Sequence, residues 1–298
     1  MKYKSVIIAG PTASGKSNFA HEVAKRINGA IINADSVQIY RGIENISASP
    51  FAWHAGNFDE VDGVPYKLFS ILPLDKHISV AEYLALARDA FNEVVSVGKT
   101  PIFVGGTGYY INVLINGISH IPEVCESNRV RAREMVANDI DGAKKLLPPD
   151  FTANDPQRIA RALEVFFETG IHITDWQKNS RVGALVPDAL RVLIMPPREI
   201  LLKRIAKRIP EMICGGAVDE AQYILDNNLN PERAIGAVQI CNMLQGKICE
   251  SDAIENWTTK TNQYAKRQRT WFSGQYNADL EIKNVPNDED LERIVSMF

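Results

Sequence analysis

The sequence has few cysteines and no long apolar run. Only 4 cysteines occur among its 298 residues, and no two of them have CxxC spacing. No histidine lies three to five residues from another, so neither a zinc site nor a disulfide framework is predicted, and reduced thiols are expected. The apolar run at 5–9 is too short for a signal peptide or a membrane helix. We therefore expect a cytoplasmic protein that is soluble and has no membrane partner.

The chain also lacks an excess of either charge. It carries 33 Lys+Arg against 36 Asp+Glu, a net charge of −3, with 45% hydrophobic and 23% charged residues. Such a composition is that of an ordinary globular protein, and the length suits one large or two modest domains. The global basic excess that commonly marks nucleic-acid binding is absent. Basic residues are nevertheless concentrated locally, at 129–133, 158–161, 198–208 and 266–269.

Short apolar runs alternate with helical patterns in the first 120 residues. The runs at 6–9, 30–33 and 102–104 are typical of buried parallel strands. Apolar spacing over 17–27 and 79–97 predicts amphipathic helices between them. This alternation predicts an α/β fold with a parallel sheet.

Three local features complete this part of the chain. Residues 41–66 are rich in Gly, Pro, Asn and aromatics without a clear period, and we expect a long surface excursion. A strand is expected at 67–72. Ser79 and Glu82 have the spacing of a capping box, which predicts a helix beginning there.

The alternation of predicted strands and helices ends at about residue 121. Helices are predicted at 129–135, 141–147 and 156–169. Strand character returns at 190–195, followed by a basic helix over 198–208. We expect a P-loop NTPase-like core, formed by 1–120 plus 186–298, that is interrupted by an all-helical insertion domain at 121–185.

The segment 10–17 matches the pattern G-x-x-x-x-G-K-[ST] in full, between a predicted strand and a predicted helix. Its glycines let successive backbone N–H groups point inward, and the helix N-terminus adds partial positive charge. Lys16 supplies a point charge, and the Ser17 hydroxyl is placed to ligate Mg²⁺. We predict that a diphosphate or a nucleoside triphosphate binds to Gly10, Pro11, Thr12, Ala13, Ser14, Gly15, Lys16 and Ser17.

Two polar segments follow other predicted strands. Asp35 comes after the run at 30–33, and Thr107 lies in the glycine-rich segment 105–108. Because ligands bind outside the carboxyl ends of parallel strands, both segments should lie beside the phosphate loop. Asp35 is then a general base, a magnesium partner or simply a helix N-cap. The strand before Thr107 does not end in the Asp by which many nucleoside triphosphatases organise Mg²⁺.

Five segments together resemble the bacterial tRNA dimethylallyltransferases over nearly the whole chain. They are GPTASGKS at 10–17, DSxQxY at 35–40, VGGTGYY at 104–110, NDPQRxxRALEVFxxTG at 154–170 and YAKRQxTWF at 264–272. The resemblance implies transfer of a dimethylallyl group from dimethylallyl diphosphate to N6 of the adenosine 3′-adjacent to the anticodon in tRNA. It also implies that the helical insertion clasps the tRNA. From the cysteine count, we expect the zinc-finger extension of eukaryotic relatives to be absent.

The same resemblance implies roles for individual residues. Lys16, the loop amides, Arg208 and a Mg²⁺ on Ser17 would stabilise the departing diphosphate. Asp35 would accept a proton or a hydrogen bond from the adenine amino group, and Thr107 would touch the target nucleotide or the diphosphate. Contacts with tRNA are implied for Asp35, Ser36, Val37, Gln38, Thr107, Arg131, Gln157, Arg158, Ile159, Ala160 and Arg161.

Other functions are compatible with parts of this pattern. A P-loop kinase that uses ATP to phosphorylate a nucleoside or metabolite is the main alternative, and a tRNA-binding module with a vestigial loop is another. A prenyltransferase acting on free AMP is a third. Arg131, Arg158 and Arg161 favour tRNA as the acceptor, although each also suits a solvated helix face. We expect a monomer, because tRNA would occupy the open cleft.

Overall fold

The computed structural model describes residues 3–52, 59–119, 121–179 and 181–298. Its strands are β1 Val6–Ala9, β2 Gly29–Asn33, β3 Glu60–Val61, β4 Val64–Lys67, β5 Thr100–Gly105, β6 Ile118–Ser119, β7 Arg181–Val182, β8 Leu190–Ile194 and β9 Leu280–Ile282. Its α-helices are α1 Lys16–Arg26, α2 Val80–Ser96, α3 Gly108–Asn116, α4 Glu126–Asn138, α5 Ile140–Lys144, α6 Pro156–Thr169, α7 Ile173–Asn179, α8 Arg198–Met212, α9 Val218–Asp226, α10 Ala237–Leu244, α11 Glu250–Gln275 and α12 Asp288–Val295. None of these helices is long and apolar enough to cross a membrane.

The main sheet has the strand order β3-β4-β2-β5-β1-β8-β9. Every pairing is parallel except that of β3 with β4. In the centre, Val6 of β1 lies in register with Ile102 on one side and Leu190 on the other. All residues of β1 and β2 are buried, as expected of short apolar runs covered on both faces. The predicted α/β fold with a parallel sheet is confirmed.

Contacts between Cα atoms divide the chain into two units. The first is Met1–Ile115 with Val186–Phe298, and the second is Asn116–Leu185. The second unit contains α4 to α7, and its apolar core includes Ala132 of α4 and Leu163 of α6. It also holds β6 and β7, which pair antiparallel. Of the two, only β7 lies within the segment 121–185 that was predicted to be all-helical.

The predicted capping box at the start of α2 is confirmed. The Ser79 hydroxyl accepts a hydrogen bond from the backbone N–H of Glu82 at 3.2 Å. The Glu82 carboxylate accepts one from the backbone N–H of Ser79 at 2.8 Å. This reciprocal pair satisfies two amides that the first turn of a helix leaves without partners, and it fixes where α2 begins.

The segment 41–66 is only partly a surface excursion. Ile43, Ile46 and Phe51 are buried among the described residues. The Phe51 ring packs edge-on against the ring of Tyr66, with centroids 5.4 Å apart. The expected surface excursion therefore does not hold for these buried residues, and the segment also contains β3 and the first three residues of β4. Residues 53–58 of the segment lie outside the described residues.

The strand expected at 67–72 lies earlier, at Val64–Lys67. Leu68 and Ser70 have φ angles of 66° and 52°, which place both residues in the left-handed region. Such a backbone cannot continue an extended strand, so pairing ends at Lys67. The error has a local conformational cause that the apolar pattern does not reveal.

Candidate active site

The phosphate loop, residues 10–17, connects the buried strand β1 to α1. Ala13 and Gly15 have φ angles of 62° and 93°, so the loop turns twice through the left-handed region. A Cβ atom on Gly10 would lie 2.5 Å from the carbonyl oxygen of Ile194, so only glycine fits there. The Ser14 hydroxyl is buried and, among the described residues, has no hydrogen-bond partner. Buried polar groups are normally paired, so this hydroxyl indicates a site for a polar ligand.

Two cationic side chains converge on this loop. The Lys16 ammonium donates to the carbonyl oxygen of Pro11 at 3.3 Å, and Arg208 Nη2 donates to the Thr12 hydroxyl at 2.9 Å. Burial lowers the pKa of Lys16 to about 8; Asp35 opposes this shift and Arg208 reinforces it. Burial also lowers the pKa of Arg208. Because desolvation and mutual repulsion both disfavour these cations, an anion bound between them would be strongly stabilised.

Helix α8 presents a second arginine to the same loop. Arg204 Nη1 donates to the carbonyl oxygen of Ala13 at 3.1 Å, one helical turn before Arg208. Like charges spaced i, i+4 repel each other on an isolated helix. Here each guanidinium is held by an acceptor in the phosphate loop, which explains why the basic run on α8 is tolerated. The sequence patterns did not single out Arg204, since it was one of several cations in that run.

Asp35 follows β2 at the edge of the sheet where β1 ends in the phosphate loop. Its Oδ1 atom accepts hydrogen bonds from the backbone N–H groups of Val37, at 2.9 Å, and Gln38, at 3.4 Å. This carboxylate therefore stabilises a turn, in the manner of the capping role considered above. Asp35 is half-buried, and its charge acts on Lys16, so the turn also holds the carboxylate beside the phosphate loop.

Thr107 follows β5, which lies between β1 and β2 in the sheet. Its hydroxyl accepts a hydrogen bond from the backbone N–H of Ser36 at 2.9 Å and donates to the Ser36 hydroxyl at 3.1 Å. A Cβ on Gly105 would lie 2.0 Å from the carbonyl oxygen of Ala34, so the two segments pack backbone against backbone. The structure thus brings Lys16, Asp35 and Thr107 to the carboxyl ends of three neighbouring strands.

A small cavity lies beside the phosphate loop. It is lined by Lys16 and Ser17 together with Gln38, Pro50, Tyr66 and Phe69. The Gln38 amide donates to the carbonyl oxygens of Ser47 and Ala48, at 3.1 and 2.9 Å, and so fixes one wall. The cavity therefore joins the polar end of α1 to an apolar surface.

The predicted tRNA contacts in the second unit fall into two groups. Gln157, Arg158 and Arg161 are exposed on α6, and Arg131 is exposed on α4. Ile159 and Ala160 are buried in the apolar core of this unit. Their side chains are occupied by packing, so the surface that these helices offer to a ligand consists of the exposed residues.

The exposed arginines are held in place by their neighbours. The Arg131 guanidinium lies over the Phe167 ring, 4.1 Å from its centroid. Arg161 pairs with the buried Glu164 at 3.1 Å, and Arg133 approaches the same carboxylate at 3.5 Å. We call Arg131, Arg158 and Arg161 the arginine face of the second unit.

Helix α11 supplies contacts that the sequence patterns missed. Gln268, which is 6% exposed, accepts a hydrogen bond from the backbone N–H of Thr12 and donates one to the carbonyl oxygen of Gly106, each at 2.8 Å. Phe272 is buried, whereas Trp271 is half-buried. A Cβ on Gly108 would lie 2.3 Å from the Trp271 ring. Gln268 is a named position of the segment YAKRQxTWF, but the segment does not indicate which residues its amide contacts.

Two family models match the chain. The model described as IPP transferase matches residues 38–275, and the one described as isopentenyl transferase matches residues 3–56. A tRNA dimethylallyltransferase from Agrobacterium fabrum is 37% identical over 295 residues, covering 93% of this chain and 95% of its own. One from Rickettsia bellii is 34% identical over 306 residues, covering 98% and 95%.

Solved structures show the same similarity. The tRNA isopentenylpyrophosphate transferase from Bacillus halodurans superimposes with a TM-score of 0.69 at 29% identity, covering 99% of this chain and 95% of its own. A eukaryotic dimethylallyltransferase acting on tRNA superimposes with a TM-score of 0.71 at 28% identity, covering 91% and 70%. Sequence and fold agree, and the chain belongs to the IPP transferase family.

Proposed function

We propose that this protein transfers the dimethylallyl group of dimethylallyl diphosphate to N6 of the adenosine 3′-adjacent to the anticodon in tRNA. The observation that carries the proposal is the arrangement of Lys16, Arg208 and Asp35. Two desolvated cations face the phosphate loop, and a carboxylate stands beside them. A leaving diphosphate needs the cations, and an attacking amine needs the carboxylate.

The leaving group is held by the phosphate loop and α8. As the bond between C1 of the dimethylallyl group and the diphosphate oxygen breaks, the electron pair stays on the diphosphate. Lys16 and Arg208 stabilise this growing negative charge, and they do so strongly because both are partly withdrawn from water.

The acceptor is activated by position and by Asp35. N6 of adenine attacks C1, and the new bond leaves a proton on nitrogen that the Asp35 carboxylate accepts. The exocyclic amine is a weak nucleophile, so its alignment within about 3 to 3.5 Å of C1 contributes much of the rate. Thr107, fixed by its bonds to Ser36, offers a hydroxyl at the same place. The adenine must leave its stack to reach this depth.

The residues present fit a Mg²⁺ that arrives with the diphosphate. Among the described residues no group of three or more His, Cys, Asp or Glu side chains could hold a metal alone. Ser17 supplies a hydroxyl in the first turn of α1, and the remaining ligands of the ion would be phosphate oxygens and water. When bound, Mg²⁺ supplies charge neutralisation of the diphosphate.

The second unit supplies the arginine face for tRNA. Exposed arginines spaced along two helices suit a phosphate backbone, which they contact with a marked salt dependence. A kinase that phosphorylates a small molecule has no evident use for such a surface. This difference favours tRNA as the acceptor, and we propose that the enzyme acts on it as a monomer.

One transfer assay tests the proposal. The protein is incubated with Mg²⁺ and labelled dimethylallyl diphosphate, and offered unmodified tRNA, AMP, or ATP with nucleosides. We expect label in tRNA, at N6 of the adenosine 3′ of the anticodon, and none in AMP. Label in AMP alone would contradict the choice of acceptor. Phosphoryl transfer from ATP without prenylated RNA would establish the kinase instead.

A further inference from the structure

Three residues on one face of α11 contact three consecutive residues after β5. The Tyr264 side chain lies close to Thr107, Gln268 donates to the carbonyl oxygen of Gly106, and Trp271 packs on Gly108. Their spacing of four and then three residues places them on one side of the helix. Gln268 differs from the other two residues because it also contacts the phosphate loop.

The Gln268 side chain joins two segments that are far apart in sequence. Its Oε1 accepts from the Thr12 amide, and its Nε2 donates to the Gly106 carbonyl oxygen, both at 2.8 Å. Thr12 belongs to the loop proposed to hold the leaving group. Gly106 precedes Thr107, which is bonded to Ser36 beside Asp35. One amide group therefore sets the spacing between the leaving-group loop and the acceptor side.

We infer that Gln268 is a positioning residue, which holds the phosphate loop and the Thr107 segment at the separation that the transfer step requires. This inference rests on the proposed function. Gln268 touches neither reacting group; it acts through the backbone of Thr12 and Gly106. The amide suits this role because it has one donor and one acceptor on the same rigid plane, and each is used. Small changes in the alignment of reacting atoms have large effects on rate.

The fit of Gly106 supports this assignment. A Cβ on Gly106 would lie 2.3 Å from Gln268 Nε2 and 3.1 Å from the carbonyl oxygen of Gly10. A methyl group there must displace the Gln268 amide. Gly106→Ala therefore disturbs the same bridge from its other end, while the glutamine itself is kept.

The first test separates kcat from KM in the transfer assay. Gln268→Leu removes both hydrogen bonds at similar side-chain volume, and Gln263→Leu is the matched control at an exposed position of the same helix. We expect kcat of Gln268→Leu to fall about 30-fold. The KM for dimethylallyl diphosphate should change less than threefold, because Lys16 and Arg208 remain. Gln263→Leu should retain the wild-type kcat.

The second test uses Gly106→Ala and does not require Gln268→Leu to fold. Gly106→Ala should lower kcat about tenfold in the wild-type background. In a Gln268→Ala background, where no amide stands in its way, the same change should cost less than threefold. Independent, multiplicative losses would show that the two residues do not act through one contact, and would overturn the inference.

Hydrogen exchange of the Thr12 amide gives a readout that does not depend on turnover. It should accelerate at least tenfold in folded Gln268→Leu and stay unchanged in Gln263→Leu. If the wild type transfers dimethylallyl groups but folded Gln268→Leu keeps its kcat within threefold, the positioning role is wrong. If the wild type transfers none to tRNA, the proposed function fails, whereas the exchange result still reports on the bridge.

Discussion

The phosphate loop and the arginine face both carry positive charge, but they carry it in different ways. Lys16 and Arg208 are partly buried, hydrogen-bonded to the loop and low in pKa relative to exposed cations. Arg158 and Arg161 are exposed to solvent. Buried cations interact strongly with one small anion at a fixed place, whereas exposed cations act weakly and additively on an extended polyanion. This difference accords with our proposal that the first unit performs the chemistry and the second recruits tRNA.

The largest loss of activity is expected when Asp35 is replaced, and this loss tests whether the first unit performs the chemistry. Asp35→Asn keeps an oxygen that can accept from Val37 and Gln38, so the turn is preserved while the base is lost. We expect kcat to fall about 1,000-fold, within the range for loss of a general base. Diphosphate affinity, measured by titration calorimetry with an unreactive analogue, should change less than threefold. A comparable loss of diphosphate affinity would assign Asp35 to magnesium binding or to loop structure instead.

The next largest effect is expected at Lys16. Lys16→Met removes one of the two cations that face the diphosphate, and we expect kcat/KM to fall about 100-fold or more. The same variant should be more stable without ligand at pH 7, by about 1–3 kcal/mol in unfolding free energy, because burial disfavours the charged form. Thermal denaturation measures this gain, and an unchanged or lowered stability would contradict the burial of a charged Lys16.

The pH dependence of Lys16 has a definite sign. Its pKa is about 8 in the folded protein against 10.5 as the ordinary value. The folded state thus binds fewer protons than the unfolded state between these pH values, and this residue makes stability rise with pH in that interval. Affinity for the diphosphate should fall above pH 8, because the bound anion requires the protonated amine. In Lys16→Met, the decline in affinity above pH 8 should disappear.

A smaller effect is expected on the arginine face. Replacing Arg158 and Arg161 together by alanine should raise the KM for tRNA about tenfold and leave kcat at saturating tRNA unchanged. The dependence of log KM on log salt should become less steep by about 1.5, since two phosphate contacts are lost. Lys145 and Lys178, exposed in the same unit, provide a control that removes equal charge elsewhere. If that control raises KM equally, the arginine face has no specific role.

The smallest change in the KM for tRNA is expected when the aromatic ring beneath Arg131 is replaced. Phe167→Leu keeps an apolar side chain in the core of the second unit but removes the ring under the guanidinium. Loss of this cation–π contact should raise the KM for tRNA two- to threefold. Phe166→Leu is the matched control, because the neighbouring ring stacks on His172 rather than on an arginine. Equal KM values for the two variants would show that Phe167 has no specific role in tRNA binding.

Much of the first unit follows from the sequence because its signals are local. Short apolar runs predicted β1, β2 and β5. The segments between these strands contain a capping box and glycine-rich turns, which can also be recognised from the sequence. The phosphate loop could be recognised from eight residues, since each glycine and Lys16 has a role set by backbone geometry. No sequence pattern marks residues with a left-handed backbone, such as Leu68. The predicted strand therefore begins and ends at later residues than β4 does.

The parts that escaped prediction depend on contacts between distant segments. Gln268 lies 256 residues from Thr12 and 162 from Gly106, so its place in the segment YAKRQxTWF does not reveal these two partners. Arg204 read as part of a charged helix face, while the structure turns it toward the phosphate loop beside Arg208, for which the family resemblance had already implied a role at the diphosphate. Burial of Ile159 likewise depends on how α4 packs on α6. Such roles become visible only once the tertiary contacts are known.

The division of labour between the two regions can be tested by the single-turnover rate of dimethylallyl transfer as tRNA is raised to saturation. The measurement compares the wild type, Asp35→Asn and the combined Arg158→Ala, Arg161→Ala variant. We predict that saturating tRNA restores the wild-type rate in the arginine variant but leaves Asp35→Asn about 1,000-fold slower. An arginine variant that stays slow at saturating tRNA would contradict the account, because the second unit would then contribute to the chemical step itself.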